Sequence, residues 1–194
     1  MTDVRQHIID TAKPIILGKG FSAVGLNELL AAAAVPKGSF YHYFKSKEAF
    51  GEALLDSYFE NYLLSLDGLL ATTGETGSER LMAYWQSWLD SQCGDAVEAK
   101  CLAVKLGGEV SDLSEAMRLA LQRGTDQIVD WLALRVSEGC ADGSLPKTLL
   151  PAQTALVLYN LWLGATILTK IRRDRSALEA AMVMTQKLLE ISPK

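Results

Sequence analysis

Apolar residues recur at intervals of three and four along most of this chain, which is the spacing that buries one face of an α-helix. In residues 4–17, for example, Ile8, Ile9 and Ile16 fall on one face. Alternating apolar and polar positions, which indicate strands, are scarce, so the pattern predicts an all-α fold. The predicted helices cover residues 4–17, 26–34, 36–44, 46–70, 79–93, 97–108, 111–138, 152–173 and 176–191.

The second and third predicted helices are separated by a very short break. The residue before a proline is disfavoured in the α region, so Val35-Pro36 ends the second helix. Pro36 suits the first position of the next helix, where its missing N–H is not needed. Two short helices joined by a turn of about three or four residues have helix-turn-helix spacing. We therefore predict a three-helix DNA-binding domain in residues 1–47 and a larger helical regulatory and dimerisation domain in residues 48–194.

The second helix of this pair carries side chains that suit a recognition helix. Phe40 and Phe44 are four residues apart and can anchor one face. Lys37 can donate to guanine, serine and tyrosine hydroxyls can bind phosphate, and Gly38 permits a close backbone approach. Ser46 is placed to cap the following helix, whose first N–H groups attract phosphate. The candidate DNA contacts are Asn27, Lys37, Gly38, Ser39, Tyr41, His42, Tyr43 and Lys47.

Charge is distributed unevenly along the 194 residues. The net charge is −4, but residues 1–50 contain six basic and four acidic side chains. Residues 1–50 therefore carry a net charge of +2 and the remaining residues a net charge of −6, as expected if only the N-terminal domain contacts phosphate groups. Hydrophobic residues make up 49% and charged residues 22%, which is typical of a globular protein rather than a disordered one.

Several protein classes are disfavoured by what the sequence lacks. Three cysteines at irregular spacing argue against a disulfide framework or a zinc site, so no metal or cofactor is expected. We find no catalytic triad, phosphate-binding loop or metal-ligand spacing, so an enzyme is not expected. No signal-peptide pattern is visible, and the apolar run of residues 155–169 is too short for a bilayer span, which predicts a cytoplasmic protein.

The last two predicted helices are the candidate dimer interface. Residues 152–173 form a predicted helix that is apolar on nearly every face, and such a helix at a protein surface requires a partner. The alternative is that this helix is simply the core of the larger domain. A two-fold homodimer would present two recognition helices to half-sites about 34–36 Å apart on a pseudo-palindromic operator.

Residues 5–55 resemble the DNA-binding domain of the TetR family of bacterial repressors. The run GSFYHYFKSKEAF at residues 38–50 is similar to the family signature of glycine, a small residue, aromatics and Lys-x-Lys-Glu. Residues 101–118 and 158–165 are similar to an electrophile-responsive subgroup, the repressors of N-ethylmaleimide reductase. The resemblance implies a repressor of double-stranded DNA operators, and it favours DNA contact over an ordinary solvated face for the candidate residues. Ala34 is a departure, because the family often has glycine at this turn position.

Cys101 is the candidate sensing residue. It lies near a predicted helix start, with Lys100 beside it and Lys105 one turn later, and these features favour a reactive thiolate. Lys170 is a candidate partner, because it is the first charge after a long apolar run and can stabilise a thiolate. The alternatives are a small buried apolar cysteine and a snorkelling lysine at a helix end. The resemblance favours the sensing interpretation of Cys101 and implies release by thiol-reactive electrophiles or oxidants.

Aromatic side chains in the larger domain allow a second mode of regulation. At helical spacing such residues are more often plain core, but they can also line a cavity for an aromatic inducer. The alternative function is therefore a repressor that is induced by a non-covalent aromatic or acyl ligand. The candidate pocket residues are Trp85, Trp88, Tyr159 and Trp162.

Overall fold

The computed structural model describes residues 3–69, 76–93 and 102–191, and the regular secondary structure in these ranges is entirely helical. This confirms the predicted all-α fold. The helices of the described chain are α1 Val4–Lys19, α2 Leu26–Ala33, α3 Lys37–Tyr43, α4 Lys47–Leu69, α5 Gly77–Cys93, α6 Leu102–Leu113, α7 Glu115–Asp142, α8 Pro151–Arg172 and α9 Ser176–Leu188.

The helices group into two compact units, and each unit draws on two stretches of the chain. Met1–Tyr62 and Ala96–Thr125 form the first unit, and Leu63–Asp95 and Asp126–Lys194 form the second. The first unit therefore combines α1, α2 and α3 with α6 and with the first parts of α4 and α7. The predicted functional boundary after residue 47 stays a prediction.

An aromatic cluster fixes α3 in the first unit. Phe40 of α3 is fully buried, and its ring centroid lies 5.2 Å from that of Phe44 and 5.6 Å from that of Phe50 in α4. Helix α1 continues through Pro14 and packs against α2 and α3. Burial of apolar side chains from all these helices leaves the opposite face of α3 free for polar groups. The buried apolar residues of α1 are Ile8, Ile9, Ala12, Ile16 and Leu17.

The turn between α2 and α3 has helix-turn-helix geometry. Ala34 ends α2 in the left-handed conformation, with φ 53° and ψ 39°. The N–H of Val35 then donates to the carbonyl oxygen of Leu30 at 3.1 Å, which satisfies a free carbonyl at the helix end. Pro36 is the N-cap of α3 rather than its first residue, so α3 begins at Lys37, one residue later than predicted.

Helix α6 extends further than the sequence pattern predicts. The pattern places its end at Gly107 and Gly108, but α6 continues through both glycines to Leu113, so the predicted boundary is wrong. Each glycine costs a helix about 1 kcal/mol relative to alanine. The fully buried side chains of Leu106 and Val110 outweigh that cost, because burying one such side chain stabilises by about 1.5–3 kcal/mol.

The second unit contains α5, α8 and α9. Helix α8 packs against α9, and α5 also contacts α9. Gly77 of α5 lies so close to the backbone of α7 that an added Cβ would be 2.3 Å from the nitrogen of Gly139. Among the described helices, α8 is long and apolar enough to cross a membrane, with 39% of its most apolar window buried. This is weak evidence for a span, because core helices of soluble proteins pass the same test.

Candidate nucleic-acid interface and sensing region

Helix α3 exposes the polar and aromatic side chains that the sequence indicated. Tyr41 is 47% exposed and Tyr43 is 38% exposed, whereas Phe40 is fully buried. The Nζ atom of Lys37 lies 5.9 Å from the centroid of the Tyr41 ring, so these two side chains form one outward patch. Of the candidate DNA contacts, Asn27, Lys37, Gly38, Tyr41, His42 and Tyr43 are exposed, and Ser39 and Lys47 are half-buried.

Gly38 has no packing role among the described residues. A Cβ added at this position would meet nothing within 4 Å. Glycine in a helix interior is nevertheless unfavourable by about 0.5–1 kcal/mol relative to alanine. Packing among the described residues therefore does not require glycine at this position, and the predicted close approach of DNA to Gly38 stays a prediction.

The N-terminus of α4 follows α3 after a short turn. The hydroxyl of Ser46 accepts a hydrogen bond from the Ala49 N–H at 3.1 Å, so Ser46 caps α4 as predicted. Lys47 has an internal partner that the sequence did not indicate. Its Nζ donates to the carbonyl oxygen of Phe21 at 2.8 Å and lies 4.6 Å from the centroid of the Phe21 ring. An ammonium has three N–H donors, so this bond leaves two for other acceptors.

Glu109 of α6 makes polar contacts that sequence reasoning missed. Its carboxylate accepts from the Ser22 N–H at 2.5 Å and from the Phe21 N–H at 3.2 Å, in the turn between α1 and α2. Burial raises the pKa of Glu109, but hydrogen bonds from Ser22 and Phe21 and the charge of Lys105 outweigh it, so the pKa lies below its usual value. The side chain is therefore a carboxylate at neutral pH. Its partner Ser22 is 87 residues away, and no local sequence signal indicates the pairing.

The predicted sensing residue Cys101 and its neighbour Lys100 lie outside the described residues. The described chain resumes at Leu102, the first residue of α6, whose N–H donates to the hydroxyl of Tyr58 at 3.3 Å. Lys170 is exposed in the last turn of α8. The sensing roles of Cys101 and Lys170 stay predictions.

The four predicted pocket residues are buried and contact one another within the second unit. Trp85 stacks on Trp162 with 4.8 Å between ring centroids, and Trp88 lies 6.1 Å from Tyr159. The indole N–H of Trp88 donates to the Thr166 hydroxyl at 3.0 Å. The indole N–H of Trp85 is buried and has no hydrogen-bond partner among the described residues. Close packing of this kind is typical of a core, whereas the unpaired donor of Trp85 suits a ligand acceptor.

Two family models match this chain. Residues 8–54 match the model described as bacterial regulatory proteins, tetR family. Residues 77–185 match the model described as tetracyclin repressor-like, C-terminal domain. The chain belongs to the TetR family of bacterial regulatory proteins.

Similarity to individual relatives extends over nearly the whole chain. The HTH-type transcriptional repressor NemR of Escherichia coli K12 is 41% identical over 96% of this chain and 94% of its own length. The HTH-type transcriptional repressor DhaR of Mycobacterium sp. strain GP1 is 32% identical over 97% of this chain and 93% of its own. The crystal structure of the reduced form of E. coli NemR is similar with a TM-score of 0.89 at 42% identity, covering 95% of this chain and 96% of that chain.

These similarities confirm the predicted TetR family and the predicted likeness to the electrophile-responsive subgroup. The named relatives are transcriptional repressors, and an enzymatic activity has no support from them. The roles of individual residues in DNA binding and sensing stay predictions.

Proposed function

We propose that this chain is a homodimeric, cytoplasmic transcriptional repressor that leaves a pseudo-palindromic operator when a thiol-reactive electrophile or oxidant modifies Cys101. The observation that carries the DNA-binding part is the outward face of α3, where Lys37 and Tyr41 are exposed while Phe40 is buried. The 41% identity with a repressor over 96% of the chain supports the direction of regulation.

Operator recognition is assigned to the first turns of α3 and α4. In a helix-turn-helix the N-terminal residues of the second helix reach base edges, while flanking groups position the protein on phosphates. Lys37 is therefore assigned to guanine, and Tyr41 to a phosphate or a thymine methyl group. The Ser46-capped N-terminus of α4, together with Lys47, is assigned to a phosphate because helix N–H groups and an ammonium both attract anions.

The dimer is proposed to form through α8 and α9. Both helices carry large apolar side chains at the surface of the described chain, and an extended apolar surface marks an interface. Two-fold pairing would give each operator half-site its own α3, about 34–36 Å from the other. The exposed apolar residues of these helices are Leu156, Val157, Ile167, Leu168, Ile171, Val183, Met184 and Leu188.

The electrophile response is assigned to Cys101 because its neighbours favour a thiolate. Lys100 and Lys105 supply positive charge in the sequence, and the thiolate is the form that attacks electrophiles. With N-ethylmaleimide, the sulfur adds to the carbon–carbon double bond and water supplies the proton to the adjacent carbon. Cys101 immediately precedes α6, which belongs to the same compact unit as α1, α2 and α3.

A non-covalent aromatic or acyl inducer is the second candidate. The buried indole N–H of Trp85, which has no partner in the described chain, favours it, because a ligand carbonyl would satisfy that donor. Such a ligand would have to separate the stacked rings of Trp85 and Trp162.

Operator binding distinguishes the two modes of induction. The purified protein is titrated against a labelled fragment of its own upstream DNA by fluorescence anisotropy, at one stated salt concentration. Each titration is run with reduced protein and again after stoichiometric N-ethylmaleimide. We expect tight binding by the reduced protein and loss of binding after alkylation, because the thioether replaces the thiolate at Cys101. Cys101→Ser should bind before and after the same treatment.

Cys140→Ser is the matched control. Cys140 lies in the second unit, is half-buried, and donates its S–H to the Pro146 carbonyl oxygen at 3.2 Å. This variant should respond to N-ethylmaleimide as the unmodified sequence does. Release of alkylated Cys101→Ser would overturn the sensor assignment. Binding that is indifferent to alkylation would instead direct the search to aromatic ligands, and no binding by the reduced protein would overturn the repressor.

A further inference from the structure

One peptide group in the turn between α1 and α2 is held at both ends by charged side chains. The N–H of Ser22 donates to Oε1 of Glu109 at 2.5 Å. The carbonyl oxygen of the same peptide, on Phe21, accepts from Nζ of Lys47 at 2.8 Å. The Phe21 N–H also donates to Oε2 of Glu109 at 3.2 Å. The Phe21–Ser22 peptide therefore connects α6 to the first residue of α4.

The two charges reinforce each other through this peptide. The carboxylate of Glu109 lies at the N–H end and the ammonium of Lys47 at the carbonyl end, so both polarise the group in the same direction. Hydrogen bonds in such a chain strengthen one another, and bonds to charged groups are the stronger class. Phe21 is only 1% exposed, and its ring lies 4.6 Å from the Lys47 ammonium, so water competes weakly for the Lys47 bond, whereas the bond between Ser22 and Glu109 is exposed.

The backbone beside this peptide lies in close contact with side chains of α6. Gly20 has φ 95°, a conformation that favours glycine, and a Cβ there would lie 3.0 Å from Oε2 of Glu109. Lys105, one turn before Glu109 on α6, has its Nζ 3.5 Å from the carbonyl oxygen of Gly18. Helix α6 thus contacts the end of α1 and the following turn through two side chains of opposite charge.

Lys47 occupies the position in α4 where a phosphate is best bound. It is the first residue of the helix, and the free N–H groups of a helix N-terminus attract anions. The bond to Phe21 holds the ammonium in place and leaves two donors for a phosphate. A side chain that is already held loses less conformational entropy when it binds, and its bond to the phosphate is correspondingly stronger.

We propose that Glu109 is a positioning residue for operator binding, which holds the Phe21–Ser22 peptide and thereby keeps the Lys47 ammonium where it donates to an operator phosphate. The inference rests on the proposed operator binding and is independent of any role of Cys101. The expected effect of removing Glu109 on operator affinity is opposite to the effect that the change in net charge would have by itself. Removing a carboxylate makes the protein less negative and by itself favours DNA binding, whereas loss of Glu109 is expected to weaken it.

A double-mutant cycle on operator affinity tests this relay. Glu109→Ala, Lys47→Met and the double variant are titrated against the labelled operator fragment at several salt concentrations. We expect each single variant to weaken binding about 100-fold, because the dimer loses one charge-assisted hydrogen bond, worth about tenfold, at each of its two half-sites. The slope of log affinity against log salt should become shallower by about 0.9 for each phosphate that the variant no longer neutralises. The double variant should bind no more weakly than Lys47→Met alone, because both changes remove the same interaction with the phosphate.

Two further variants separate positioning from a general effect on folding or charge. Glu109→Gln keeps the shape of the side chain but can accept only one of the two N–H bonds, so it should fall between the original protein and Glu109→Ala. Glu109→Gln also replaces Glu109→Ala in the cycle if circular dichroism shows that Glu109→Ala fails to fold. Glu115→Ala removes the same charge from the first unit, at an exposed residue paired with Arg118 at 2.7 Å. Its operator affinity should be unchanged or slightly higher.

The outcomes are distinct. Multiplicative losses in the double variant, with an unaltered salt slope for Glu109→Ala, would show an effect that bypasses Lys47 and would overturn the relay. Unchanged or tighter binding by both Glu109 variants would also overturn it. Failure of the unsubstituted protein to bind operator would instead overturn the proposed repressor function.

Discussion

At the scale of single residues, Ala34 carries a conformational cost inside the helix-turn-helix. It ends α2 at φ 53° and ψ 39°, a left-handed conformation in which the Cβ approaches the following carbonyl oxygen. For a residue other than glycine this costs roughly 1–2 kcal/mol. Ala34 is exposed, so its methyl group gains little packing in return.

Ala34→Gly is therefore expected to stabilise the protein. Relief of the left-handed strain exceeds the extra freedom that glycine gives the unfolded chain, for a net gain of about 0.5–1 kcal/mol in the free energy of unfolding. The measurement is urea denaturation followed by circular dichroism. Ala31→Gly is the matched control, since Ala31 is exposed within α2, and it should lower the free energy of unfolding by about 0.5–1 kcal/mol. Equal destabilisation by both variants would contradict the argument.

Local chemistry decides which functional residues the sequence reveals. The Ser46 cap could be predicted because it follows from position at one helix start, and so could the exposure of Lys37 and Tyr41 on α3, whose roles in DNA binding stay predictions. The contact of Glu109 with Ser22 could not, because it joins residues 87 apart through a backbone N–H, which every residue type except proline offers equally. The internal bond of Lys47 escaped for the same reason, since its acceptor is the main-chain oxygen of Phe21.

At the scale of helices, the glycines divide into those required by packing and those tolerated. In α7, Gly124 lies against α4 so closely that an added Cβ would be 2.1 Å from the Phe59 ring. In α6, Gly108 is exposed, and an added Cβ would meet nothing within 4 Å. Sequence alone does not distinguish these two situations, and the adjacent pair Gly107 and Gly108 was wrongly interpreted as the end of α6.

Substitution by alanine should therefore have opposite effects at these two glycines. Gly124→Ala is expected to lower the free energy of unfolding by about 1–3 kcal/mol, because Phe59 or the α4 backbone must move to admit the methyl group. Gly108→Ala should raise it by about 0.5–1 kcal/mol through helix propensity alone. Urea midpoints of the two variants, compared with that of the original protein, check both signs. A stable Gly124→Ala would refute the close contact between α4 and α7.

Helix positions were predicted well where proline, glycine or serine marks an end. Pro36, Ser46 and Pro151 stand within a residue of the observed helix starts, because each has a backbone or capping reason to be there. The start of α7 was placed four residues early, at Ser111, because apolar spacing is continuous from α6 into α7. There Ser114 separates the two helices, and its hydroxyl accepts from the Met117 N–H at 3.4 Å.

At the scale of the whole molecule, the proposed function requires two copies of the chain. One helix-turn-helix contacts only one half-site, and linking two DNA-binding domains in a dimer raises their combined affinity without any new DNA contact. Helix α8 offers a surface for this purpose. Val157, Gly164, Leu168 and Ile171 are exposed and recur at helical spacing along one face. Gly164 has nothing within 4 Å of an added Cβ, so internal packing does not explain it, and a partner helix can approach closely there.

Leu168→Glu should dissociate this dimer while leaving each chain folded. Leu168 is 40% exposed in a single chain, so the carboxylate stays hydrated in the monomer but would be buried without a partner in the dimer. That burial costs about 3–5 kcal/mol, enough to raise the dimer dissociation constant by more than about 100-fold. Sedimentation equilibrium should then report the 21.1 kDa monomer at micromolar concentration, with unchanged circular dichroism. Operator affinity should fall as well, because the two DNA-binding domains are no longer linked.

Leu134→Glu, at a residue 51% exposed on α7, is the control and should remain dimeric. A Leu168→Glu variant that remains dimeric would place the interface away from this face of α8, and dissociation by both variants would show that the effect is not specific to this face.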